Sequence, residues 1–101
     1  MTIITRPALP EDAVAYRTIG PFDKDAIPKG LWKEHNLKAG VWALLSVEEG
    51  QICFVWDDEQ GGSKLLGQRM NHIVPPNTPH HLEDAGPVVI KITFLSVPND
   101  N

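Results

Sequence analysis

The stretch VWALLSVEEGQICFVW, residues 41–56, decides the fold class. Residues 41–47 and 52–56 are rich in β-branched, aromatic and aliphatic side chains, which suit a pleated, half-buried surface. Between them, residues 48–51 bring two carboxylates and a glycine. The pattern reads as a β-hairpin with a short glycine-bearing turn at Glu48-Glu49-Gly50-Gln51. Working outward, further apolar runs fall at 64–66, 72–74, 80–82 and 88–95, and polar, glycine- or proline-bearing segments separate them. That spacing belongs to sandwiches and barrels, so the class is all-β. A single helical turn near Asp23-Lys24-Asp25 is the most helix expected.

In residues 41–47 and 52–56 both alternating faces are apolar, whereas a strand with one wet face alternates apolar and polar. Something therefore covers the outer side as well. The cover is either the amino-terminal segment folding back or a second copy of the chain, and the expectation drawn is a homodimer.

At 101 residues the chain is read as one domain, with an extended amino-terminal segment over 1–21, a barrel over 22–97 and a tail over 98–101. A chain of this size buries about 60% of its unfolded surface, enough for a core without a disulfide or a structural metal. The lone Cys53 excludes an internal disulfide and reads as a small buried hydrophobe. Thirteen acidic against nine basic residues give a net charge of −4, and the cations are scattered, so no nucleic-acid partner is expected. No window approaches the roughly 18 apolar residues of a bilayer span, and the expected location is the cytoplasm, without membrane attachment. No nucleophile elbow, phosphate-binding loop or Cys-x-x-Cys pair occurs. Glu48 and Glu49 read as a solvated turn.

The segment Ile27-Pro28-Lys29-Gly30-Leu31-Trp32-Lys33-Glu34-His35-Asn36-Leu37-Lys38-Ala39-Gly40-Val41-Trp42 is not a generic β pattern. Together with Val47-Glu48-Glu49-Gly50 and Val74-Pro75-Pro76-Asn77-Thr78-Pro79-His80, it resembles the small cupin family of YeaR-like proteins and the amino-terminal domain of the tellurite-resistance protein TehB. The resemblance runs from about residue 22 to residue 95. It implies a cupin double-stranded β-helix, a jelly-roll barrel. The second general cupin motif matches at Pro75-x-Asn77-x-x-His80, with asparagine in the usual glycine position and Asp84 in the usual asparagine position. Asparagine tolerates a left-handed turn better than other non-glycine residues, so the first exchange is mild. In the first motif the metal-binding positions fall at Leu37, Ala39 and Ala43, none of which is a ligand, and the subfamily's own histidine is His35.

Strand parity sends His80 and His81 to opposite faces, and the resemblance selects His80 as the inward one. His35 and His80 are thus the candidate metal ligands, with His72 and His81 as candidates for a third. Two readings stay open. Either the pair lines an apolar pocket without metal, or it holds one divalent ion (zinc, iron or nickel), although such centres use three protein ligands. Trp32, Trp42 and Trp56 read first as core or subunit-contact residues. Trp42 lies nearest His35 and joins Asn36 and Phe54 as the candidate ligand contacts.

Three functions follow as expectations. The first is a stand-alone, non-catalytic module that binds a small molecule or an ion, with the family resemblance suggesting a link to oxyanion or other stress. The second is a small cupin metalloenzyme of iron or zinc. The third is a dimer that serves protein interaction around a vestigial pocket. Tellurite methylation by this chain alone is not expected, because it has no glycine-rich strand-to-helix turn of the kind that holds a nucleotide-like cofactor.

Overall fold

The structure, a computed structural model, describes residues 6–98. Residues 1–5 of the expected amino-terminal segment and residues 99–101 of the expected tail lie outside the described residues. The strands are β1 (Val14–Asp23), β2 (Val41–Trp56), β3 (Ser63–Gly67), β4 (Asn71–Val74), β5 (His80–Glu83) and β6 (Val88–Ser96), and a 3-10 turn at Lys29–Trp32 precedes β2. All pairings are antiparallel. The fold is all-β, a cupin-type jelly roll, and among the described residues no helix is long and apolar enough to cross a membrane.

The expected hairpin is instead one sixteen-residue strand. Its first part, through Gly50, pairs with β6 and β4, and its last part, from Gln51, pairs with β3 and β5, so β2 runs through both sheets of the barrel. The four residues read as a turn are where the strand changes sheets. Val47 faces Ile90 and Glu49 faces Val89, which leaves Glu48 as an extra residue, a β-bulge. The bulge shifts side-chain parity by one. Ala43, Leu45 and Val47 before it and Ile52, Phe54 and Trp56 after it consequently all enter the same core. Gly50 has φ +73, and a Cβ there would lie 2.0 Å from the Pro87 carbonyl oxygen. The residue that reads as a turn signal thus serves a bend and a close backbone approach.

Part of the expected amino-terminal segment is itself a strand. Strand β1 forms the edge beside β6, so the sheet begins at Val14 and not at the expected boundary of 22. Its signal is weak because it is exposed along most of its length and is broken by Gly20-Pro21, where the register with β6 shifts. The expected turn near Asp23 is present: the Asp23 carboxylate and carbonyl both accept from the Ala26 N–H.

The two-sided apolar pattern of β2 is resolved partly within the chain. Trp42 faces Leu95 on the outer side of the sheet, each is only 8% exposed, and neither belongs to the inner core cluster. At the barrel end, Arg6 lies over the Trp56 ring, 3.9 Å from its centroid. Its guanidinium donates to both Asp58 carboxylate oxygens and to the Gly61 carbonyl, holding the Asp58 carboxyl below its usual pKa.

Candidate functional site

Backbone pairing, not sequence proximity, creates the site. Each of the amides of His35 and His80 donates to the other's carbonyl at 2.9 Å, an isolated antiparallel bridge between a loop and the start of β5. The Asn77 amide extends the contact by donating to the Leu37 carbonyl at 2.8 Å. Asn77 itself has φ +56, the left-handed conformation that asparagine accepts more readily than most residues. The proline-rich loop is thereby folded against the loop carrying His35, and the two imidazoles lie edge to face with centroids 4.2 Å apart.

Both rings border a cavity of about 200 Å³ inside the barrel. Its other walls are Leu31, Leu37, Ala43, Leu45, Phe54, Val74, Leu82, Ile92 and Phe94, all apolar. His80 is 4% exposed, and its ring stacks on Phe54 with centroids 5.1 Å apart. His80 Nδ1 is 2.7 Å from the Thr78 carbonyl oxygen, and His35 Nδ1 is 2.8 Å from that of Lys33. A carbonyl only accepts, so in each ring Nδ1 carries a proton, and a neutral ring then has its lone pair on Nε2. Burial pushes His80 down to about 4, against the pull of the Thr78 hydrogen bond, and His35 adds to the lowering.

His72 and His81 go elsewhere. His72 points inward from β4 and packs against Phe54 and Trp56, with ring centroids 4.3 Å and 5.4 Å away. It does not line the cavity. Its Nε2 is buried with no hydrogen-bond partner among the described residues, and burial, with Lys64 second, lowers its pKa to about 4. His81 faces outward, as strand parity requires, where Asp57 at 2.6 Å and Glu83 at 2.8 Å accept from its two nitrogens and raise its pKa.

Of the expected ligand contacts, Phe54 lines the cavity and Trp42 and Asn36 do not. Trp42 adjoins the inward Ala43 on β2 and so faces the opposite side. Asn36 is exposed beside His35. Ile92 and Phe94 were readable as inward positions from the alternation of β6, whereas Leu31 and Leu37 come from loops whose orientation only the His35–His80 bridge sets.

Two imidazoles supply the orientation that a metal needs and not the number. Among the described residues no group of three His, Cys, Asp or Glu side chains is placed to hold a metal ion.

A family model described as the TehB-like domain matches residues 17–92. The chain belongs to the TehB-like domain family. Among solved structures it is similar to a protein from Escherichia coli strain K12, with a TM-score of 0.82 and 22% identity over 93% of this chain and 100% of that one. It is also similar to TehB from Haemophilus influenzae, with a TM-score of 0.77 and 22% identity over 86% of this chain and only 32% of that protein. The Fe(II) form of HppE aligns more loosely, with a TM-score of 0.52 and 22% identity over 61% of this chain and 33% of that one. No curated protein matches the chain in sequence. At these identities the likeness establishes the fold, and this TehB-like domain's function must come from its own cavity.

Proposed function

We propose that this TehB-like domain is a binding module for a small molecule, and that its site is the cavity bordered by His35 and His80. One observation carries the reading: an apolar chamber of about 200 Å³ contains two imidazoles whose Nε2 atoms have no hydrogen-bond partner among the described residues. A few convergent polar groups in a largely apolar cavity is the usual form of a ligand site. A binding role is favoured over an enzymatic one because, among the described residues, no hydroxyl, thiol or carboxylate joins the imidazoles in the lining.

Titration of the full chain with toluene, followed by the methyl NMR signals of Leu37, Leu45, Leu82 and Ile92, tests the reading. Saturable shifts confined to these methyls are expected, and their loss in Ala43→Leu, which fills the chamber. No saturable shift with toluene or any other small probe contradicts it.

A divalent ion is the second reading, favoured by one feature: each Nδ1 is held by a backbone carbonyl, the outer arrangement that fixes metal-binding imidazoles. Zinc, iron or nickel would then sit on the two Nε2 atoms, one protein ligand short of a usual catalytic site. Elemental analysis after purification without a histidine tag separates the readings, since a stoichiometric metal would replace the first by the second.

The homodimer belongs to the same proposal. Support comes from Val14 and Tyr16, 55% and 57% exposed on the edge strand β1, whose outer side no other strand pairs among the described residues. Sedimentation velocity at micromolar concentration is expected to show a dimer that Tyr16→Lys weakens, and a monomer at all concentrations would remove it.

A further inference from the structure

We infer that the cavity selects a compact, mainly apolar molecule that carries a hydrogen-bond donor and no negative charge, held by donation to Nε2 of His80 with His35 alongside. The inference rests on the proposed binding role of the cavity and names the class of ligand.

The polarity of the site follows from the backbone. In each histidine the carbonyl two residues earlier in the chain takes the Nδ1 proton, Lys33 for His35 and Thr78 for His80. A neutral imidazole has only one N–H, so what each ring has left to offer is a lone pair. The tautomers are fixed by short local turns that the His35–His80 bridge locks together. Among the described residues no other polar side chain lines the cavity. Among the described residues a ligand therefore meets, at His80, an acceptor and no side-chain donor.

An anion fits this site badly. It would lose its water shell among leucines, isoleucine and phenylalanines and receive no hydrogen bond in return, a penalty far larger than that of leaving one neutral polar group unpaired. The oxyanion link that the family resemblance suggests is thus opposed by the chemistry of the chamber. A hydroxyl or neutral amine on a hydrocarbon body meets every requirement: its hydrogen pairs with His80 Nε2 and its carbons replace water along the apolar walls. Size agrees, since an apolar cavity of about 150 Å³ already accepts benzene, and this one is about 200 Å³.

Three probes of one shape decide the point in NMR titrations of the full chain at pH 7.5. Phenol has a donor, toluene has none and benzoate is an anion. Phenol is expected to bind about tenfold more tightly than toluene, because only phenol satisfies a buried acceptor, and benzoate is expected to give no saturable shift of the cavity methyls. The ¹⁵N resonance of His80 Nε2 should move with phenol and not with toluene, and that readout needs no substituted protein. His80→Leu should abolish the difference between phenol and toluene. Equal binding of phenol and toluene would overturn the selectivity while leaving the cavity as a binding site. Tightest binding of benzoate would overturn it in favour of an anion. If none of the three binds, the binding role fails and this inference fails with it.

Discussion

Gly50→Ala is expected to lower the unfolding free energy by about 3 kcal/mol or more, a large part of the roughly 5–15 kcal/mol that holds a domain together. Two costs combine. An alanine at φ +73 pays about 1–2 kcal/mol for the left-handed backbone. Its Cβ would also lie 2.0 Å from the Pro87 carbonyl oxygen and 3.0 Å from the Val88 Cα, both backbone atoms, so the strands must separate where β2 changes sheets. Gly40→Ala is the control. Gly40 has φ +80, but nothing lies within 4 Å of where an alanine methyl would sit, so only the backbone cost of about 1–2 kcal/mol applies. Urea unfolding of the two variants measures the difference, and equal losses would show that the close approach at Gly50 contributes nothing.

The second large effect is acid destabilisation. Burial lowers His72 and His80 to about 4 in the folded chain, against about 6.5 when unfolded. A folded pKa below the unfolded one means that protons favour the unfolded chain. Stability is therefore full above pH 6.5, falls between 6.5 and 4, and levels off with respect to these groups below that. From pH 7 to pH 5 each histidine costs about 2 kcal/mol, about 4 kcal/mol together. His81 acts in the opposite sense: Asp57 and Glu83 raise its pKa, so its contribution is present in full below 6.5 and is lost as pH rises through the raised value. It cannot offset the acid loss. Asp58 and Asp84 have lowered values, so their contribution is present above the ordinary carboxyl pKa and is lost only below it. His72→Leu should remove about half of the slope. The same substitution should stabilise the chain by about 1 kcal/mol at pH 7, since it deletes a buried Nε2 without a partner. Unfolding free energies that stay level from pH 6.5 to 4.5 would contradict the burial of both rings.

Much of the fold was legible because β-structure leaves a local trace. The runs at 64–66, 72–74, 80–82 and 88–95 each became a strand within a residue or so, since alternation and turn residues both mark them. The hairpin reading failed for a physical reason: a glycine with positive φ serves a turn and a bulge equally well, and only the partners of each half of β2 distinguish them. Strand β1 was missed because an exposed edge carries little hydrophobic signal. At the site, parity sorted His80 from His81, and the motif match brought His35 to the same region. The positions of Trp42 and His72 were not legible, because both faces of residues 41–47 are apolar and because only packing decides on which side of Phe54 a ring settles. The tautomers of His35 and His80 were equally out of reach, since the carbonyls that fix them become partners only in the folded loops.

Ligand binding between His35 and His80 is tested by a crystal structure of the chain grown with 4-bromophenol, with the bromine located by its anomalous signal. One bromine peak is expected inside the barrel, between Phe54, Leu82 and Phe94, with the phenolic oxygen within hydrogen-bonding distance of His80 Nε2. A bromine bound only on the outer surface, with the chamber between His35 and His80 unchanged, would contradict it.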